Sequence, residues 1–273
     1  KIYITNNTQG VGDTVDSNGH SRRFSLTELG GVFSGPTLSS DGPSAYFRIT
    51  MNELQRVTAI RISNTSGGDG GNIFVEMAPG AISDLSMNLN NAQYSIPMDE
   101  IPDTTPPGIS TSATLHYGTG VLSVAFSETV AASKGTGVGG VDVSKIYLSN
   151  EAGDLNFNII GATIPAIDLL SFDITLSEAN RALAIALSGT PGGDGTALNV
   201  ETLALGFYDV AGNGNPIRTV SALTEIADEI HPVPEAASIN FGTGVIIVNA
   251  SETIDSTPIS LILLSHIFVS LQV

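Results

Sequence analysis

The chain has 273 residues, 30 of them Gly and 13 Pro, with 41% hydrophobic content. That is enough for one large or two modest cores, and the turn-rich, alternating pattern reads as all-β. Cys is absent, which excludes disulfides, thiolate metal sites and a thiol nucleophile. Ten basic against 27 acidic residues give a formal charge of −17, a field that repels nucleic acid and anionic lipid and attracts cations. Two accounts of that charge stand side by side. One is a merely soluble acidic surface, and the other is bound Ca²⁺, whose ligands are carboxylate and amide oxygens.

No charged-then-apolar signal peptide opens the chain, so a leader is expected to be either absent or already removed. Residues 1–6, Lys-Ile-Tyr-Ile-Thr-Asn, alternate as a half-buried strand does. Residues 7–46 form a polar, Gly- and Ser-rich insertion, expected on the surface, with a tight turn at Asp16-Ser17-Asn18-Gly19. A short strand over 47–51 leads into Glu53 and Arg56, an i,i+3 pair suited to one helical turn. An apolar stretch Val57–Ile62 follows, expected to be buried, then the loop Gly67-Gly-Asp-Gly70, a strand at Ile73–Met77 and a turn with Asp84, Asn88 and Asn90.

Asp103-Thr-Thr-Pro-Pro107 reads as a linker, because each Pro removes a donor and extends the residue before it. Ala113 to Val121 reads as strand, Gly-Thr-Gly turn and strand, with Leu122, Val124 and Phe126 pointing inward. Gly135-Thr-Gly-Val-Gly-Gly140 satisfies a dinucleotide-binding pattern, but it precedes a predicted strand (Val141–Leu148) where the fingerprint must follow one. It is rejected. The last fifteen residues, Ile259–Val273, are apolar but shorter than the roughly twenty that a membrane helix needs. Their β-branched content reads as strand.

The chain repeats itself. Phe172-Asp-Ile-Thr-Leu-Ser-Glu-Ala-Asn-Arg181 matches Phe47–Arg56 at an offset of 125 residues. At the same offset fall Gly192–Gly195 on Gly67–Gly70, Glu201 on Glu76, and Asp209, Asn213 and Asn215 on Asp84, Asn88 and Asn90. Lys145–Asn150 matches residues 1–6, and Ala237–Val245 matches Ala113–Val121. The order is therefore a repeat lacking its opening strands (1–102, with the insertion at 7–46), a whole repeat (103–228), and the opening strands of a third (229–273). Strand-rich units of this size suggest tandem immunoglobulin-like β-sandwiches.

The ordered set Asp103-Thr-Thr-Pro-Pro, Gly118-Thr-Gly-Val-Leu through Phe126-Ser-Glu-Thr-Val130, Leu176-Ser-Glu-Ala-Asn-Arg181 and Asp209-Val-Ala-Gly-Asn213 resembles bacterial and archaeal immunoglobulin-like repeats. Such repeats stand in tandem in surface-layer and cell-surface proteins. The resemblance spans most of 103–228 and, in halves, both flanks. The first copy departs from it with Leu85-Ser-Met87 in its closing turn, and the last opens with His231-Pro-Val-Pro234. It implies an extracellular structural protein, often calcium-dependent, that assembles into lattices or filaments.

Asp209, Asn213 and Asn215 put three oxygen side chains in seven residues, the density of a Ca²⁺ loop, yet one loop cannot supply six to eight oxygens alone. Asp103 with Glu128, or Asp228 with Glu252, could complete a site at a domain junction, and Asp84, Asn88 and Asn90 form the twin loop. The bland reading is an Asx-rich turn capping its own backbone. His20, His116, His231 and His266 show no ligand spacing, and no nucleophile–base motif occurs, so no enzyme is expected. Asn6, Asn64 and Asn249 begin glycosylation triplets, and Asn249, between inward Val248 and Ala250, is expected to face solvent.

The expectation is a non-enzymatic extracellular or cell-surface protein that partners itself head to tail. Residues 231–273 of one subunit would complete the 1–102 sandwich of the next, since a sheet lacking strands exposes edges that pair with another chain. The matching strand at 266–270 would then be spare. The rival is a fragment of a longer array. The alternative function is an adhesin or carbohydrate-binding module contacting cells or glycans through 7–46, with Phe24, Phe33 and Tyr46 as its aromatics.

Overall fold

A computed structural model describes residues 1–6, 22–27, 37–39, 46–151, 154, 156–220, 223–258 and 261–270. The turn at 16–19, His20 and Phe33 lie outside them. In the first segment β1 (Ile2–Thr5) pairs antiparallel with β2 (Arg23–Ser25), and a short ladder joins β3 (Thr37–Ser39) to β4 (Arg48–Thr50). After α1 (Glu53–Arg61), β5 (Phe74–Met77) lies on the other side of β1 and is flanked in turn by β6 (Gln93–Pro97). The sheet order is β2-β1-β5-β6.

The middle segment repeats that plan with its opening strands present. A hairpin of β7 (Ile109–His116) and β8 (Val121–Val130) precedes β9 (Ile146–Ser149), β10 (Phe157–Asn158) and β11 (Leu169–Thr175). Then come α2 (Glu178–Ala186), β12 (Asn199–Thr202), β13 (Arg218–Val220) and β14 (Leu223–Ile226). They form sheets of order β11-β8-β7-β14 and β10-β9-β12-β13, with β14 parallel to β7 and the other pairs antiparallel. The last segment holds a hairpin, β15 (Pro234–Asn240) with β16 (Val245–Ala250). Among the described residues the chain is thus mostly β-strand in several sheets, with two α-helices.

Period-two alternation gives the middle segment its core. Leu122, Val124 and Phe126 face inward from β8, as the sequence predicts, and Phe172 and Ile174 do so from β11. Ile146, Leu148 and Val200 answer from the second sheet, so both sheets bury side chains in one cluster. Phe126 sits 5.0 Å from the Phe172 ring and 4.8 Å from the Phe207 ring. The first segment has a smaller cluster around Ile4, Phe24, Leu26, Ala59, Ile62 and Ile73.

Several expectations are corrected. The single helical turns are nine-residue helices, because each has a side-chain cap: Asn52 Oδ1 accepts from Gln55 N at 2.9 Å, and Ser177 Oγ from Asn180 N at 3.3 Å. Val57–Ile62 and Leu183–Leu187 are largely helix, and a helix turns one face to solvent, so Leu183 is half-exposed while Ala184 is buried. Asp142 caps a 3₁₀ turn at Val143–Lys145, which delays the predicted strand until Ile146. At the C-terminal end Leu264–His266 is a 3₁₀ turn, and 261–270 contains no strand among its described residues. Val248 is 49% exposed rather than inward, because β15 and β16 have no facing sheet among the described residues.

Candidate functional site

The helix caps set the geometry of two matching joints. Each cap starts its helix one residue before a Glu, which puts Glu53 and Arg56, or Glu178 and Arg181, one turn apart on one face. Arg56 Nε and Nη2 donate to Glu53 at 2.7 and 2.8 Å, and Arg181 does the same to Glu178. The remaining donors reach forward in the chain. Arg56 Nη1 bonds Asp103, and its Nη2 bonds Glu128 at 3.0 Å. Arg181 Nη1 bonds Asp228 at 2.6 Å, and its Nη2 bonds Glu252 at 3.1 Å. Each helix Glu also accepts a backbone N–H from the hairpin ahead, Thr129 or Thr253, at 2.7 Å. A guanidinium held by three carboxylates thus ties each repeat to the next.

The first joint has an additional acid. Asp103, Glu128 and Asp209 bring carboxylate oxygens within 4.8 Å of one another, a triad able to hold a metal ion. With Glu53 and Arg56 the group carries a formal charge of −3 when every acid is ionised. A proton or a cation relieves that excess. Burial pushes the Glu128 carboxyl up to about 7, with Asp103 and Asp209 adding to the rise and Arg56 opposing it.

The closing turns serve their own backbones first. Asn213 N and Nδ2 donate to the two Asp209 oxygens at 2.7 and 2.8 Å, and Asn88 repeats this on Asp84 at 2.8 Å for both bonds. Asn215 Oδ1 accepts Phe207 N at 2.7 Å, and Asn90 Oδ1 accepts Ile82 N at 2.9 Å. The structure therefore groups Asp209 with Asp103 and Glu128, and not with Asn215. It pairs Asp228 and Glu252 with Arg181, and it leaves Asp84 on an exposed turn. Asn64 and Asn249 are exposed, whereas Asn6 Nδ2 is bound to Asp69 at 2.7 Å.

A cleft of about 570 Å³ opens between α1, Ile73, Met98 and Glu100 of the first segment, bordered at the joint by Ser127 and Glu128. Its middle-segment counterpart is filled. Tyr117, fully buried at the end of β7, donates its hydroxyl to Glu225 and packs by Ser188, and burial raises its pKa first, Glu225 second. Glu225 and Ser188 correspond to Glu100 and Ser63 of the cleft. The residue corresponding to Tyr117 in the last hairpin is Phe241, and it is 88% exposed. Ile239, Ile246 and Val248, counterparts of buried Leu115, Leu122 and Val124, are 45–49% exposed.

Sequence reasoning singled out the carboxylates and missed what gathers them. The available signal was the recurrence of Arg56 and Arg181 at one offset, in a chain with only 10 basic residues. Tyr117 and Glu225, 108 residues apart, recur as Phe241 and Glu100, but nothing in the sequence pairs them. Comparison with known protein families, curated proteins and solved structures finds no match to this chain.

Proposed function

We propose that this chain is a non-enzymatic, extracellular or cell-surface structural protein made of tandem immunoglobulin-like β-sandwiches. Copies join head to tail when 229–273 of one completes the sandwich begun by 1–102 of the next. The observation that carries this reading is the cleft facing Glu100, which none of the described residues fills, together with exposed Phe241, since the middle segment seats Tyr117 in the equivalent place. Phenylalanine suits that cleft. Both Glu100 oxygens are already bonded, by Asn64 N at 2.8 Å and Ile73 N at 2.9 Å, so no hydroxyl is required.

Backbone pairing supports the same arrangement. Thr175 of β11 bonds Thr163 along one edge and its strand pairs with β8 along the other. Thr50 of β4 pairs with Thr37, the counterpart of Thr163, and no second partner strand lies along β4 among the described residues. β16 fits there in the register of β8. The tie from Arg181 to Asp228 and Glu252 holds the hairpin beside α2 of its own chain, so the cleft it fills belongs to another copy. Such a heterologous contact grows a filament where its rotation does not close into a ring.

Ca²⁺ at Asp103, Glu128 and Asp209 would stiffen the joint between repeats, its charge offsetting the carboxylate excess. An adhesin reading loses ground because Phe24, one of its three candidate aromatics, is 5% exposed and belongs to the core. The test is negative-stain microscopy of the full chain in calcium and then in chelator, beside a version ending at 228. Filaments are expected from the full chain alone, and fewer or more flexible ones in chelator. Monomers from the full chain under every condition would sink the proposal.

A further inference from the structure

The first joint also seats a loop on a turn. Ser66 Oγ donates to Ala211 O, and Asn213 Nδ2 donates to Asp103 O at 3.1 Å. Gly67 approaches so closely that a Cβ there would lie 2.2 Å from Val210 O. Val210 and Ala211 are buried by this contact and by their own segment, at 5% and 3% exposure.

Both halves of that seat exist again, each without its mate. The loop at 191–195 keeps the left-handed glycines, with φ of 95° at Gly192 and 91° at Gly195 against 86° at Gly67 and 85° at Gly70. The turn from Asp84 to Asn90 keeps its Asn88-to-Asp84 bonds and a left-handed residue at Met87, where the middle turn has Gly212. On it Leu85, Met87 and Leu89 are 86, 81 and 67% exposed, a concentration of large apolar groups that an isolated turn does not need. At the second joint Glu252 Oε1 is buried without a hydrogen-bond partner among the described residues.

Resting on the head-to-tail reading above, we infer that the Asp84–Asn90 turn of one copy docks on the Pro191–Gly195 loop of the copy that donates its hairpin. This second contact continues the joint seen between the first and middle segments. It puts Leu85 against Gly192, as Val210 stands against Gly67, and directs Asn88 Nδ2 to the Asp228 carbonyl. Asp84 takes beside Glu252 the place that Asp209 has beside Glu128. Strand donation alone does not require it, because a hairpin could fill the cleft while the turn stays in solvent. The turn makes the joint between subunits as stiff as the joint within one.

Because the chain has no cysteine, two introduced thiols report the contact directly. Ser66 and Ala211 correspond to Pro191 and Ser86. Full-length P191C/S86C, assembled and treated with a short bis-maleimide, should run as a ladder of covalent oligomers. S66C/A211C should cross-link only within the chain, and the single variants should give no ladder. In parallel, hydrogen exchange of wild-type protein should slow at least tenfold over 84–90 on assembly. Filaments that form without a ladder and without slowed exchange at 84–90 would overturn the docked turn and leave strand donation standing. Wild-type chains that never assemble would overturn both.

Discussion

Glu128 stands where β8 leaves its alternation, in a run of three buried residues ending at Val130. Its carboxyl rises from the usual 4.5 to about 7, burial first and the neighbouring Asp103 and Asp209 next. A carboxyl raised in the folded state binds its proton more firmly there than in the unfolded chain, so its contribution to stability is full below about 4.5 and is lost as pH climbs to about 7. Allowing for solvent screening, the loss is about 1–2 kcal/mol. In chelator, urea titrations at pH 4.5 and 7.5 should show that fall in the wild type, and Glu128→Gln should flatten it. Added Ca²⁺ should restore stability at pH 7.5, since metal and proton relieve the same excess of negative charge. An unchanged pH slope in the variant would remove Glu128 as its source.

At the level of elements, the joint between repeats depends on a loop that only glycine can build. Gly67 and Gly70 both have φ near 85°, so alanine is strained at either. They differ in surroundings: nothing lies within 4 Å of a Cβ at Gly70, while at Gly67 the Val210 carbonyl blocks it. Gly70→Ala should cost about 1 kcal/mol, and Gly67→Ala about 2–4 kcal/mol with the joint opened. Thermal melts give the difference, and faster exchange at 209–213 in the Gly67 variant locates it. Equal losses at the two sites would mean that the loop and turn do not depend on close approach. The helices were legible only in part. The Glu-x-x-Arg spacing announced one turn, but Asn52, Gln55 and Ser177 extend it by satisfying the first amide donors, and that depends on backbone geometry.

For the whole molecule, the proposed head-to-tail assembly would bring a subunit of charge −17 against another of the same charge. The four hairpin residues Ile239, Phe241, Ile246 and Val248 gain about 1–2 kcal/mol each on leaving water. That total is comparable with the ~4–15 kcal/mol cost of association, so in the proposed assembly repulsion between subunits would weigh on how readily they join. Raising NaCl from about 0.01 to 0.15 M shortens the Debye length from about 30 to 8 Å and should lower the concentration at which filaments form. Phe241→Asp should abolish them at every salt concentration, because it places a charge opposite Glu100 in the cleft. Light scattering across a salt series measures both, and assembly that weakens with salt would point to attraction between charges instead.

The sequence by itself determined the internal repeat and the β-rich character of the chain. A fixed offset and a period of two are properties of the chain that need no coordinates, and they also placed Leu122, Val124 and Phe126 inward. Only the tertiary structure decided what the repeated polar residues do. Asp103, Glu128 and Asp209 span 107 positions and become neighbours because Arg56 draws two of them to α1 while the Val130–Asp209 bridge holds the third. Asn215, by contrast, has the right chemistry for a ligand and spends its amide on the backbone at Phe207, Leu203 and Pro216. Burial was equally beyond sequence. Leu122 and Ile246 occupy the same place in matching hairpins, yet one is fully buried and the other 47% exposed, because burial is decided by whether a facing sheet is there to cover the strand.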